Sequence, residues 1–154
     1  MLNSRLARFR KPRAEERPRL TTTGSCLCGG ISFTIGSGLE PIQVCHCSQC
    51  RKAHGGPFAA VTPVATSAFR LHDPEGLLRA YESSPGKERA FCGRCGSPLY
   101  SRRHALPDTL RLRAGLLDEP VTAQVAWHAY TGSKCSWWPI ADGLPQYPQA
   151  YSAP

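Results

Sequence analysis

The chain has 154 residues and a formal net charge of +8, with 14 glycines, 14 prolines and 8 cysteines. That length suits one domain with a core of its own, and 41% hydrophobic residues exclude a disordered chain. No apolar stretch reaches the roughly 18 residues that a membrane-spanning helix needs, and the Gly and Pro content predicts many turns and few long helices.

Residues 1–22 form a polar tail. Arg5, Arg8, Arg10, Lys11, Arg13, Arg17 and Arg19 face only Glu15 and Glu16 there, so most of the positive charge sits outside the expected domain, residues 23–154. A solvated terminus is the plain reading of the tail, and an anion- or RNA-binding arm the functional one. No apolar leader segment is visible. The expected compartment is therefore cytoplasmic and reducing, where clustered cysteines act as metal ligands rather than disulfides.

Ile31, Phe33 and Ile35 recur at period two between glycines, which predicts a strand with one buried face. Cys45 to His54 is the one stretch expected to carry a helical turn. Phe58 to Val64 predicts a second strand, held short by Pro57 and Pro63. Phe69–Leu71, Leu77–Tyr81, Leu99–Ser101 and Leu110–Ala114 are further short strands. Asp73–Gly76 is a turn placed as in a hairpin between two of them, and Ser83–Gly86 is another turn. In the last strand Arg111 and Arg113 alternate with Leu110, Leu112 and Ala114, which predicts one solvated face. Leu116 to Trp127 fits either a helix or an extended segment. The Pro- and aromatic-rich segment after Gly132 is expected to wrap over the surface.

Seven of the eight cysteines fall into three groups: Cys26/Cys28, Cys45/Cys47/Cys50 and Cys92/Cys95. Two ligand pairs make a closed tetrahedral zinc site, so Cys26, Cys28, Cys92 and Cys95 form the natural structural set. With 63 residues between Cys28 and Cys92, metal binding there closes a long loop and contributes to folding. Gly29 and Gly96 follow the second cysteine of each pair, where the chain must reverse. The triplet Cys45, Cys47 and Cys50 supplies three thiolates and leaves one position open, the mark of a catalytic zinc. The alternative is a second structural site closed by His46, His54, His128 or Cys135. His46, between two ligands, is expected to point away from the metal, and Cys135 reads as a buried thiol.

Three motifs occur in order: Gly24-Ser25-Cys26-Leu27-Cys28-Gly29-Gly30, then Cys45-His46-Cys47-Ser48-Gln49-Cys50-Arg51-Lys52-Ala53-His54-Gly55, then Phe91-Cys92-Gly93-Arg94-Cys95-Gly96. With the later Tyr130, Ser133, Lys134 and Trp137, they resemble the glutathione-dependent formaldehyde-activating enzyme family, which includes the centromere protein V type. The resemblance covers about residues 23–138. It implies a mainly β, Mss4-like fold of small coiled antiparallel sheets built around zinc sites. It also implies two zinc ions per chain, one held by Cys26, Cys28, Cys92 and Cys95 and a catalytic one by Cys45, Cys47 and Cys50. An exposed three-thiolate site can oxidise or lose zinc, so the second ion's occupancy is expected to vary.

The activity implied is a carbon–sulfur lyase reaction, condensation of formaldehyde with glutathione to S-hydroxymethylglutathione or the same chemistry on a related small thiol. Zinc suits it, because coordination deprotonates a thiol that is otherwise mostly protonated at neutral pH. Glutathione is an anion, so Arg51, Lys52 and Lys134 are candidates to capture its carboxylates; the alternative is that they only offset thiolate charge. His54 is a candidate base or hydrogen-bonding support, and Trp127, Trp137 and Trp138 complete a core or pocket wall. The expected partner is a small-molecule thiol, with no membrane and, on the mildly basic body, no nucleic acid. The rival reading is a non-catalytic, zinc-stabilised module that binds protein or nucleic acid. The coordination of the second metal separates the two.

Overall fold

The computed structural model describes residues 21–151. The basic tail and its suggested anion-binding role therefore lie outside the described residues. The fold is mainly β. A three-stranded antiparallel sheet is formed by β1 (Thr22–Ser25), β2 (Ser32–Ile35) and β5 (Phe69–His72) in the order β1-β2-β5. A larger sheet takes β3 (Ile42–Cys45), β4 (Ala59–Ala65), β6 (Leu78–Ser84), β7 (Lys87–Cys92), β8 (Pro98–Arg103), β9 (Leu106–Arg113), β10 (Val125–Ala129) and β11 (Gln146–Tyr147). Its order is β11-β10-β3-β4-β9-β8-β7-β6. It is antiparallel except where β10 runs parallel to both β3 and β11. Register shifts interrupt four of its pairings, between β6 and β7, β7 and β8, β8 and β9, and β3 and β10. Such bulges bend the strands and increase their twist. Among the described residues, no helix is long and apolar enough to cross a membrane.

The period-two reading of Ile31, Phe33 and Ile35 holds: all three are buried, and β2 is the centre of the small sheet. The strand expected at 58–64 is present, shifted by one residue, and more central than its prolines suggested. β4 runs for seven residues, and Pro63 is tolerated because it lies past Val61, the last residue paired to β3. Its neighbour β9 pairs with it from Val61 to Ala65. The turn at Asp73–Gly76 does not close a hairpin. It carries the chain from β5 in one sheet to β6 in the other, and the Asp73 carboxylate fixes it by accepting the N–H groups of Leu77 and Leu78 at 2.7 and 2.9 Å. The true hairpin is at Ser83–Gly86, between β6 and β7.

The two sheets enclose a core of Phe33, Ile35, Val64, Leu112 and Leu117, with Phe69 and Tyr100 packed against it. Leu110 and Leu112 point into this interior while Arg111 stands exposed, as the alternation predicted. Arg113 breaks the pattern, because it is only 5% exposed. Among the described residues the one α-helix, α1 (Ser48–His54), begins just after β3. Cys47 caps it, the sulfur accepting the N–H of Cys50 at 3.3 Å. The ambiguous stretch after Leu116 is largely irregular before β10, and the chain after Gly132 carries only the short β11.

Leu112 is fully buried between the two sheets. Leu112→Ala is expected to cost about 2–5 kcal/mol of unfolding free energy, since the surrounding strands cannot collapse onto the cavity. Urea titration followed by tryptophan fluorescence measures it.

Candidate functional site

Two groups of sulfur atoms converge. In the first, the Sγ atoms of Cys26, Cys28, Cys92 and Cys95 all lie within 4.8 Å of one another. Cys26 and Cys28 come from the turn between β1 and β2, Cys92 and Cys95 from the turn between β7 and β8. Both turns close in the same way. Gly29 and Gly96 take left-handed φ values of 72° and 75°, and their N–H groups return to the carbonyls of Cys26 and Cys92 at 3.0 and 2.8 Å. A residue with a Cβ pays strain in that conformation, which is why glycine stands there. The Ile31 N–H donates to the Cys26 sulfur at 3.3 Å and Ser97 Oγ lies 3.2 Å from that of Cys95. The Ser97 hydroxyl and N–H pull the Cys95 thiol down to about 5. Burial alone would raise Cys26, but the Ile31 N–H and the neighbouring sulfurs bring it below its ordinary value. Cys95 and Cys26 are thus favoured as thiolates, whereas at Cys28 the Gly30 N–H is outweighed by burial and the neighbouring sulfurs, which raise it to about 11. Four thiolates about 2.3 Å from a zinc ion sit about 3.8 Å apart, and here Cys28 Sγ lies 3.5 Å from that of Cys26 and 3.9 Å from that of Cys92. The donor set fits a closed tetrahedral metal.

In the second group, Cys45 ends β3, Cys47 caps α1 and Cys50 lies in the first turn of that helix. Their sulfurs are also within 4.8 Å of one another, and among the described residues no histidine, carboxylate or fourth cysteine joins them. His46 turns away, as expected. Its Nε2 is 2.8 Å from His128 Nδ1, and His128 Nε2 is 2.8 Å from the Asp142 carboxylate. Since the carboxylate accepts, His128 donates from Nε2. This buried chain ties the segment around Asp142 to the Cys45–Cys47 bend. Burial, and then the charge of Arg113, pushes His54 down to about 4, so its ring is neutral at pH 7. Its Nε2 is buried with no hydrogen-bond partner. Cys135 is buried. None of the four residues considered as a closing ligand reaches the triplet.

The triplet forms the end of a cleft of about 870 Å³. The cleft lies along one face of the large sheet, opposite the hydrophobic core. Cross-strand partners share a face, and the register runs Gln43–Val61–Arg113, then Arg111–Ser101–Arg89, then Arg103–Lys87. Lys87, Arg102, Arg103, His104, Arg111 and Arg113 line it, and among the described residues no Asp or Glu does. Tyr130, the one non-glycine residue with a positive φ among those described, also lines it, against the triplet.

The cations expected to capture substrate do not line this cleft. Arg51 donates to the carbonyls of His46 and Ser133 at 3.3 and 3.2 Å, which fastens α1 to the segment before Lys134. Lys52 is exposed, and the Lys134 ammonium lies 3.5 Å from the Trp138 carbonyl. Trp127 stacks near Tyr151, and Trp138 meets Phe58 edge-on. The sequence reading missed Lys87, Arg89, Arg103, Arg111 and Arg113. The available signal was Arg at alternate positions in two strands that turned out to share a face.

Behind the sulfurs sit two buried guanidiniums, Arg89 (4% exposed) and Arg113 (5%). Nη1 and Nη2 of Arg89 and Nε of Arg113 have no hydrogen-bond partner. Contact with Cys47 and Cys50 pushes the Cys45 thiol up. Cys50 is pulled down by hydrogen bonds from Cys45 and Cys47, with Arg89 beside it. Burial lowers Arg113 to about 10, so it remains charged at neutral pH.

A mainly β protein with one four-sulfur cluster and one three-sulfur cluster open to a cationic cleft defines a class: a site of two cysteine clusters, each of which could hold a metal ion. The model of the glutathione-dependent formaldehyde-activating enzyme family matches residues 21–133, and the chain belongs to that family. A Halomonas elongata protein that carries the family's name is 34% identical over 103 residues, 62% of this chain and 64% of that one. An uncharacterized lyase of Schizosaccharomyces pombe is 34% identical over 77 residues, 50% of this chain and 54% of that one. An Emericella nidulans protein with the family's name is 30% identical over 77 residues, 50% of this chain and 39% of that one. The chain thus spans less than two thirds of each of these relatives. A crystal structure of a Rhodobacter sphaeroides protein superposes with a TM-score of 0.52 over 81% of this chain and 98% of that one. At 17% identity that likeness concerns the fold alone.

The two clusters should respond differently to metal removal. A strong chelator, or Cys92→Ser, is expected to take metal from the four-sulfur cluster and lower the thermal midpoint by many degrees, because that cluster joins two distant turns. Cys47→Ser is expected to remove one metal equivalent with little change in the far-ultraviolet dichroism. Metal analysis alongside thermal unfolding reads both.

Proposed function

We propose that the protein is a zinc-dependent enzyme of the carbon–sulfur lyase type that joins formaldehyde to an anionic small thiol such as glutathione. The observation that carries this reading is the open three-sulfur cluster at the end of a cleft lined by cations and free of carboxylates. A structural role would call for a fourth protein ligand, and none lies within reach among the described residues.

Cys45, Cys47 and Cys50 would hold the catalytic zinc, and Cys26, Cys28, Cys92 and Cys95 the structural one. When bound at the triplet, zinc supplies Lewis acidity that favours thiolate over thiol. The rest falls to the chain. Lys87, Arg103 and Arg111 line the cleft beyond the sulfurs and are placed to take up the substrate's carboxylates, in the role first considered for Arg51, Lys52 and Lys134. Held at its carboxylates, the thiol reaches the triplet with its sulfur leading, so the cost of orienting it is met by remote contacts. In the reaction a sulfur–carbon bond forms as the carbonyl π bond opens, and the proton lost by the thiol ends on the new hydroxyl oxygen. His54, lowered to about 4 and so a weak base, does not line the cleft, and the proton transfer is not assigned to it.

Thiols add to formaldehyde unaided, so the test must read an excess over the free reaction. Exchange between glutathione and its hydroxymethyl adduct, followed by NMR, should be accelerated by the wild-type protein and return to the uncatalysed rate with Cys47→Ser. Full acceleration in that variant would sink the proposal. A second measurement concerns the cations. Arg103→Ala and Arg111→Ala should each lower kcat/KM for glutathione by roughly 2- to 5-fold, the weight of an exposed ion pair, and leave a neutral thiol such as 2-mercaptoethanol nearly unaffected.

A further inference from the structure

The two buried arginines are more than packing. Arg89 and Arg113 lie on the same face of the large sheet as Cys45, on β7 and β9. Three of their guanidinium nitrogens are sealed from water and lack a partner. Among the described residues no carboxylate lines the cleft that Arg113 borders or the small pocket of about 200 Å³ that both arginines border. A buried charge without a counter-charge is costly, and the negative groups beside this pair are the sulfurs of the triplet. Arg113 lines the same cleft as Cys45, Cys47 and Cys50.

The charges do not balance without a ligand. Three thiolates and a divalent ion make a centre of formal charge −1, and the two guanidiniums turn the enclosed group to +1. We infer that Arg89 and Arg113 make the open position of the Cys45/Cys47/Cys50 centre selective for a monoanionic ligand, so that the site takes its thiol as thiolate and discriminates against neutral donors. This rests on the reading of the triplet as a metal centre with an open position. A monoanion there brings the group to neutrality, whereas a neutral donor leaves a buried positive excess. Arg89 and Arg113 are positioning residues in this account. They act through the sulfurs and the field at the open position.

Cobalt(II) tests the inference without turnover, because its visible spectrum reports each added ligand. The full chain loaded with cobalt is titrated at pH 8 with azide, a small monoanion, and with imidazole, mostly neutral there. Azide is expected to bind the wild type more tightly. Arg89→Gln and Arg113→Gln should each weaken azide by about tenfold, the effect of one charge at short range in a partly screened site, and leave imidazole within about twofold. Arg89→Lys should restore the azide preference. A wild type that prefers imidazole, or glutamine variants that weaken both probes equally, would overturn the inference while leaving the metal centre standing. If cobalt at the triplet answers neither probe, the open-position reading falls and this inference with it. Should Arg89→Gln fail to fold, the wild-type preference decides.

Discussion

The structure depends on crowding sulfur against sulfur. Seven cysteine side chains are gathered into two clusters in which every sulfur lies within 4.8 Å of its companions. Neutral thiols gain little from such contact, and ionised ones repel one another. The arrangement becomes favourable when a cation sits among them, and then each cluster acts as a staple. The first staple joins the β1–β2 turn to the β7–β8 turn, and so brings the small sheet onto the large one. Its sulfurs pack with Ile31 and Leu99, which are fully buried, so the cluster is itself part of the core. The second lies on the opposite face of the large sheet, between a strand end and a helix start.

The two clusters differ in their charge surroundings, and that difference separates a structural site from a reactive one. Arg94, inside the first CxxC motif of the β7–β8 turn, is paired with Glu75 and is not a free counter-charge. Arg89 and Arg113, at the second cluster, have no carboxylate partner. The first centre is closed by four cysteines and offers no position for substrate. The second is left short of one ligand and supplied with an excess of positive charge. An anion is what such a centre lacks.

Much of this was legible in the sequence, for a definite reason. Metal-type clusters are encoded locally, by short cysteine spacings and the glycine that closes each turn, so the assignment of Cys26, Cys28, Cys92 and Cys95 to one group and Cys45, Cys47 and Cys50 to another needed no knowledge of the sheet. Ile31, Phe33 and Ile35 were readable because period two belongs to one strand. The cleft was not readable, since it depends on register between strands. Lys87 and Arg89 reach the triplet's side only because β7 pairs with β8 at Arg103 and Ser101, and β8 with β9 at Arg111. Nothing in any single strand states that pairing. The same ignorance placed Arg113 on a solvated face. Arg51, Lys52 and Lys134 looked suitable because they are near the motifs in sequence, but Arg51 is spent on two backbone carbonyls and none of the three lines the cleft.

β9 shows how one strand serves both needs. Leu110 and Leu112 fill the core on one face, while Thr109, Arg111 and Arg113 line the cleft on the other. Moving along the cleft face toward the triplet, Arg111 is exposed and Arg113 is buried. Screening by water falls in the same direction. On the proposed reading, an anionic thiol entering from the exposed end would meet weakly attractive, solvated charges first and the unscreened pair last, beside the sulfurs. A one-residue slip of β9 would exchange its two faces and put guanidiniums into the core. The hydrophobic demand of Leu110 and Leu112 therefore fixes the position of the site's cations as firmly as it fixes the fold.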